Sequence, residues 1–261
     1  HDVIAGERED TGDAEVFQRA PEEVGAAGAD GVRCVGHGGD AAKVLYKTQA
    51  RGSIAAMKVR IQRDGGMAEY AVAARASQTV LDVVTEIQRE QEPDLAYRFA
   101  CRVGMCGSCA MEVNGAARWT CRTHVSRVLG PDGVLELRPL ANLPVLRDLV
   151  TDMAPFFDKW AKAGGRFVPP DGVVPQGFAT VPPDSAPRRE ADAGIECIGC
   201  GVCYASCDIV SWNKDYLGPA ALNRAWTLVN DVRDGGRKDR LRAVAGDAGC
   251  HSCHSTQGCT E

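Results

Sequence analysis

Regular alternation begins at Met57, where Lys58-Val59-Arg60-Ile61 places apolar side chains on one face and charged ones on the other, the period of a strand. Gly65-Gly66 marks a turn into a second strand at about Ala68 to Val72, so the pair reads as a hairpin. The period then lengthens. Thr79 can cap a helix running to about Gln91, with Val80, Val83, Val84 and Ile87 in one apolar stripe and Pro93 as its stop. A strand at Ala110 to Val113 leads into an Asn114-Gly115 turn, and another follows at Val134 to Leu137. Leu143 to Ala163 reads as helical with a break near Pro155, its apolar residues packing one domain against the next. Residues 164 to 188 carry Pro169, Pro170, Pro175, Pro182, Pro183 and Pro187 and read as an extended connector.

This pattern predicts an α+β protein in four stretches. Residues 1–56 are a non-native or disordered leader, because they are rich in Gly, Ala and acidic residues and show neither period; Met57 is the expected native start. Residues 57–150 form a small α+β domain, which becomes ferredoxin-type once its cysteine loop is counted; 151–190 form a helix and Pro-rich connector, and 191–261 a second domain, expected to be truncated at its C-terminus. The leader has no apolar core for a signal peptide, and its acidic residues argue against a mitochondrial transit peptide. A formal charge of -5 argues against nucleic acid as a partner, and no apolar run approaches the ~18 residues needed to span a bilayer.

Twelve cysteines in 261 residues change the picture, since they fall mostly into three clusters rather than a dispersed disulfide framework. Cys101, Cys106 and Cys109 follow the CxxxxCxxC spacing by which plant-type ferredoxins hold a [2Fe-2S] cluster, with Cys121 as fourth ligand. Gly104 and Gly107 let such a loop wrap an inorganic core and aim amide hydrogens at its sulfurs. A disulfide pair, a structural zinc site and buried free cysteines are the competing readings.

The second run, Cys197, Cys200, Cys203 and Cys207, fits the bacterial CxxCxxCxxxC pattern, in which three cysteines bind one cubane and the fourth reaches another cluster. A zinc or redox-thiol site is its alternative. Near the end, Cys253 and Cys259 repeat the frame with Thr256 at the middle position. Cys207, Cys253 and Cys259 can then hold three irons of a [3Fe-4S] cluster, because a threonine hydroxyl is a hard, protonated substitute for thiolate. Cys197, Cys200 and Cys203 would hold a [4Fe-4S] cluster whose fourth ligand is expected beyond Glu261. Cys250-His251-Ser252-Cys253-His254 also fits the CxxCH haem-attachment signature, which would compete for Cys253. Cys34 and Cys250 are given no role.

Taken with the words FACRVGMCGSCAMEVNG, ECIGCGVCYASC and LGPAALNRAW, this three-part pattern resembles the iron-sulfur subunit of succinate dehydrogenase or fumarate reductase over residues 57 to 261. The resemblance implies a β-grasp [2Fe-2S] domain followed by an all-α ferredoxin-like domain. It further implies partners: a FAD-bearing subunit, membrane-anchor subunits carrying any haem b, and a quinone, with this subunit peripheral on the cytoplasmic face of the bacterial inner membrane. Electrons would pass in the order FAD, [2Fe-2S], [4Fe-4S], [3Fe-4S], quinone. Trp212 and His254 match family positions near the quinone and the last cluster, whereas Asp208 and Ile209 depart from the family's usual residues beside Cys207. No general acid, base or nucleophile is assigned. An iron-sulfur subunit of another flavin-linked quinone or disulfide oxidoreductase, or a free-standing carrier, are the alternatives.

Overall fold

The computed structural model describes residues 56–172 and 180–260. The expected leader up to residue 55, with Cys34 in it, and Pro175 lie outside the described residues. Strands β1 (Ala56–Arg63) and β2 (Gly66–Ala73) form the predicted antiparallel hairpin, longer at each end than their alternating residues suggested. Helix α1 (Val80–Glu90) starts at Thr79, whose hydroxyl accepts from the Asp82 N–H while the Asp82 carboxylate accepts from the Thr79 N–H. Two orphan amides are thereby satisfied. Val80, Val83, Val84 and Ile87 are buried against the sheet, as their spacing predicts.

Strand β3 (Ala110–Val113) turns through Asn114 and Gly115, both at positive φ (48° and 79°), into β4 (Ala116–Trp119). An Asn-Gly pair in the left-handed region matches the twist of a two-residue hairpin. A 3-10 turn (Thr120–Arg122) and short α2 (Val125–Val128) lead to β5 (Val134–Arg138). The five strands order as β2-β1-β5-β3-β4, with β1 and β5 parallel and the other pairings antiparallel. Val59, Ile61, Leu135 and Leu137 lie fully buried between this sheet and α1.

The single helix predicted over Leu143 to Ala163 is corrected. Val145–Arg147 and Val150–Thr151 form a small antiparallel hairpin, β6 and β7, and only Ala154–Lys162 is helical, as α3. Pro155 does not break that helix but opens it, in the first turn where its missing N–H costs nothing. The hairpin wins over the helical spacing because Asp148 is 2% exposed and saturated with donors. Its carboxylate accepts from Arg63 Nε at 2.7 Å, Ala96 N at 2.9 Å and Asp64 N at 3.3 Å, and its own N–H donates to Asp64 Oδ1 at 3.0 Å. These bonds pull Asp148 into a left-handed turn (φ 45°) that no helix contains.

The connector ends earlier than expected, because α4 spans Ala186–Ile195 with Pro187 in its first turn. Helices α5 (Val202–Ala205), α6 (Asp208–Trp212), α7 (Pro219–Val229) and α8 (Arg237–Val244) follow, then a 3-10 turn at Cys250–Ser252. Leu143 and Phe156 pack with Tyr204, Ile209, Val210 and Tyr216, so the segment after the sheet does bind it to the C-terminal helices. Asn142 Nδ2 faces the carbonyl oxygens of Tyr204, Ala205 and Cys207 at 3.2, 3.1 and 3.4 Å. Arg240, paired with Asp234 and donating to the Gly164 and Arg166 carbonyls, ties the start of the connector to α8.

Burial by itself would raise the Asp148 carboxyl, but hydrogen bonds from the Ala96 N–H and from Arg63 outweigh it and hold it below the ordinary carboxylate value. Such a group contributes stability above the unfolded-state pKa, near 3.9, and loses it as pH falls through the lower folded value. Asp148→Asn is expected to cost roughly 2–3 kcal/mol at pH 7. Denaturant titrations of wild type and variant should differ by a constant amount at neutral pH, draw together as pH falls below about 4 and meet only below the depressed folded value of Asp148. A gap that persists unchanged to acid pH would show that charge on Asp148 is not what holds the hairpin.

Candidate metal centres

The Cys101 loop hangs from buried ends. Cys109 and Cys121 are buried together with Leu81 of α1 and against Tyr97, and the Thr120 hydroxyl donates to the Cys109 carbonyl at 2.9 Å. Arg102, Gly104 and Gly107 all take positive φ (59°, 76° and 70°), which winds the chain around its own sulfurs. Val103 N and Met105 N donate to Cys101 Sγ at 3.4 and 3.2 Å, Cys101 N donates to Cys106 Sγ at 3.5 Å, and the Gly104 N–H faces Cys121. Amides aimed at sulfur favour the thiolate, the form that binds iron.

The electrostatics of the loop are uneven. A hydrogen bond from the Ser108 side chain, followed by those from the Cys101 and Ser108 amides, lowers the Cys106 thiol to about 6. Burial, then the hydrogen bond and charge of Cys109, raise Cys121 to about 11. Bound metal ions would draw the proton off Cys121. All eleven described cysteines are free thiols, so the disulfide reading fails for Cys101, Cys106, Cys109 and Cys121. An all-thiol donor set with backbone amides aimed at its sulfurs fits an iron-sulfur core.

The C-terminal cysteines form adjoining groups. Cys203, at the start of α5, is raised to about 12 by burial and then by the charges of Cys200, Cys197 and Cys259. Cys259 is raised by burial and then by Cys207, with Cys253 adding to it. Cys197, Cys200 and Cys203 are thus neighbours, Cys207, Cys253 and Cys259 are neighbours, and Cys203 and Cys259 bring the two sets together. Gly201 at φ 80° starts α5 and sits against Met153 and Leu140, so the run is seated on the segment that leaves the sheet. Thr256 is exposed and lies between Ser255 and Gln257, both at positive φ (52° and 61°). Cys250 is exposed in the terminal 3-10 turn, whereas its CxxCH partner Cys253 lies beside Cys207 and Cys259.

Trp212 ends α6 and is 75% exposed; His254 is also exposed, next to Cys253. Several residues around the groups gave no sequence signal. Tyr216 is buried beside Cys253, Cys207 and Cys259, and its phenol is pushed up by burial and then by those sulfurs. Lys159 of α3 donates to the Lys214 and Tyr216 carbonyls, and its ammonium lies 5.9 Å from the Tyr204 ring centre. Gly107 lies against Cys200, so the two cysteine runs touch. Asn213-to-Ser252 spacing hides a further tie, a 3.1 Å bond that fixes the terminal turn to α6.

A family model described as a 2Fe-2S iron-sulfur cluster binding domain matches residues 53–158, and one described as a 4Fe-4S dicluster domain matches residues 196–261. The chain is 36% identical to the mitochondrial succinate dehydrogenase [ubiquinone] iron-sulfur subunit 1 of Oryza sativa subsp. japonica, over 69% of its own length and 63% of that protein's. It therefore spans less than two thirds of the rice subunit. It is 34% identical to the fumarate reductase iron-sulfur subunit of Escherichia coli O157:H7, covering 74% of this chain and 77% of that one. To the succinate dehydrogenase iron-sulfur subunit of Paracoccus denitrificans it is 32% identical, covering 69% and 68%. A chain of the Mycobacterium smegmatis Sdh1 complex in the apo form superposes with a TM-score of 0.69 at 31% identity, over 78% of this chain and 86% of that one.

Cys101→Ser removes a sulfur that two amides face, so the two-iron absorption and paramagnetic resonance signals should be lost while those of the C-terminal groups remain. An unaltered two-iron spectrum in the purified variant would remove Cys101 from the ligand set.

Proposed function

Because the chain belongs to the iron-sulfur subunits of the succinate dehydrogenase and fumarate reductase family, we propose that it carries electrons between a FAD-bearing subunit and a membrane quinone. The single observation that carries this reading is the contact between the Cys101–Cys109 loop and the Cys197–Cys203 run, because it turns separate cysteine groups into a continuous path. Residues 57–150 serve as a β-grasp domain that holds [2Fe-2S] through Cys101, Cys106, Cys109 and Cys121. Residues 151–190 join it to an all-α domain at 191–261. There Cys197, Cys200 and Cys203 hold [4Fe-4S], and Cys207, Cys253 and Cys259 hold [3Fe-4S]. When bound, the clusters supply one-electron transfer at stations between flavin and quinone.

The chain's own residues position, shield and tune. Amides of the Cys101 loop stabilise negative charge on sulfur, and Leu81, Tyr97 and Thr120 keep water from its inner side. Exposed Val103 and Met105 at the tip of that loop suit the flavoprotein face. Exposed Trp212 and His254, at the far end of the cysteine series, suit the quinone and anchor side. No helix of the described residues is long and apolar enough to cross a membrane, and the proposed seat is peripheral, on the cytoplasmic face of the bacterial inner membrane through the anchor subunits. No side chain is assigned as proton donor or acceptor.

Purification from membranes under mild detergent tests the assembly. A covalently flavinylated partner and small membrane subunits should accompany the chain; recovery as a soluble monomer with its clusters intact would contradict it. Thr256→Cys, made in the complex, tests the last station. A thiolate at Thr256 should convert that cluster towards [4Fe-4S], abolish the three-iron signal of the oxidised complex and slow quinone-coupled turnover, with reduction of the two-iron cluster retained. A three-iron signal unchanged in the variant would place the open corner elsewhere.

A further inference from the structure

We propose that Gly107 sets the spacing between the first two electron-carrying centres, by being the one residue whose lack of a side chain lets the Cys106–Cys109 turn rest directly on Cys200. The inference rests on the function proposed above and adds a positioning residue to it. A β-carbon at Gly107 would lie 2.3 Å from Cys200 Cβ and 2.9 Å from Cys200 Cα, with Ile198 Cδ1 at 3.4 Å. Carbon atoms not bonded to each other prefer about 3.5–4.0 Å. The obstructing atoms are backbone and Cβ of a proposed ligand, so they cannot swing aside as the end of a long side chain would.

The neighbouring loop glycine behaves differently. A β-carbon at Gly104 would meet the Arg122 side chain first, at 2.9 Å from Cγ, within the same domain. Both glycines have positive φ, 76° and 70°, so backbone strain alone does not distinguish them. What distinguishes Gly107 is the neighbour from the second cysteine run. It also sits between two proposed ligands, Cys106 and Cys109, so the covalent path from Cys106 to the contact is a single peptide link.

Beside this contact the two parts are separated by a cavity of about 240 Å³, lined in part by Arg98, Ser108, Met153, Phe157 and Gly199. Electron tunnelling decays faster across empty space than along bonds and touching atoms, so the favoured route is Cys106, Gly107, Cys200. One electron leaving the Cys106 side is taken up on the Cys200 side. No bond forms or breaks and no proton moves.

The test is paramagnetic resonance of the dithionite-reduced complex, in which dipolar coupling between the spins of the two-iron and four-iron centres broadens their lines as the inverse cube of separation and speeds their relaxation as the inverse sixth power. Gly107→Ala should keep its iron and labile sulfide but lose much of the relaxation enhancement of the two-iron signal, and freeze-quench transfer from the first centre to the second should slow in parallel. Gly104→Ala should retain the wild-type enhancement in every molecule that carries the two-iron cluster. Wild-type enhancement and transfer in a cluster-replete Gly107→Ala complex would overturn the proposal. Should that variant fail to assemble, Ile198→Ala decides: it trims the side chain beside the contact, so enhancement is expected to persist, and its loss would route the coupling through Ile198 instead. Absence of either cluster signal from wild type would overturn the functional reading itself, a result distinct from failure of the Gly107 variant alone.

Discussion

Thiols that serve iron must sit on loops, because the metal core has to be wrapped by backbone, and loops hold position only where their ends are buried. Everything else in this protein depends on how that constraint is met. Around the first group, Cys109 and Cys121 are anchored under Leu81 and Tyr97, leaving Cys101 and Cys106 to be placed by amides of the turn itself. Around the second, Tyr204, Ile209, Val210 and Tyr216 form a core that Leu143 and Phe156 complete from the segment leaving the sheet. Asn142, itself at φ 64°, secures that joint by facing three carbonyls of the turn that carries Cys203 and Cys207. Without the joint, the contact at Gly107 would have no reason to persist.

Charge is handled by the same residues. Burial raises the thiols of Cys121 and Cys203, and bound iron would supply the positive charge that releases their protons. The Ser108 hydroxyl beside Cys106 and the buried Tyr216 phenol beside Cys253 add donors where sulfur carries charge. The ammonium of Lys159 lies by the Tyr204 ring and the Tyr216 carbonyl, on the buried flank of the C-terminal groups. Hydrogen bonds to sulfur and local charge are levers on cluster potential.

The elements legible in the sequence are those whose signal is local. Helix α1 could be read because its cap and stripe lie within a dozen residues, and the Asn114-Gly115 turn because its residue types permit left-handed backbone. Strand β4 was not read: Ala116 to Trp119 lacks alternation, and it is recruited by pairing with β3. The β6–β7 hairpin runs against the helical spacing of Leu143 to Val150, because the bonds that decide its shape run between Asp148 and Arg63, Asp64 and Ala96. The cysteine groupings were legible from spacing. The contact between groups is not, because nothing at Gly107 announces that its neighbour is Cys200, and a loop glycine looks the same whether it faces solvent or a second cysteine run.

The central claim is that one chain holds three different clusters in sequence, and Mössbauer spectroscopy of the iron-57-enriched complex tests it most directly. The account predicts three sets of lines, from two-iron, four-iron and three-iron clusters, with areas in proportion to their iron counts. A spectrum without the three-iron component, or one containing mononuclear tetrathiolate iron in place of any cluster, would contradict it.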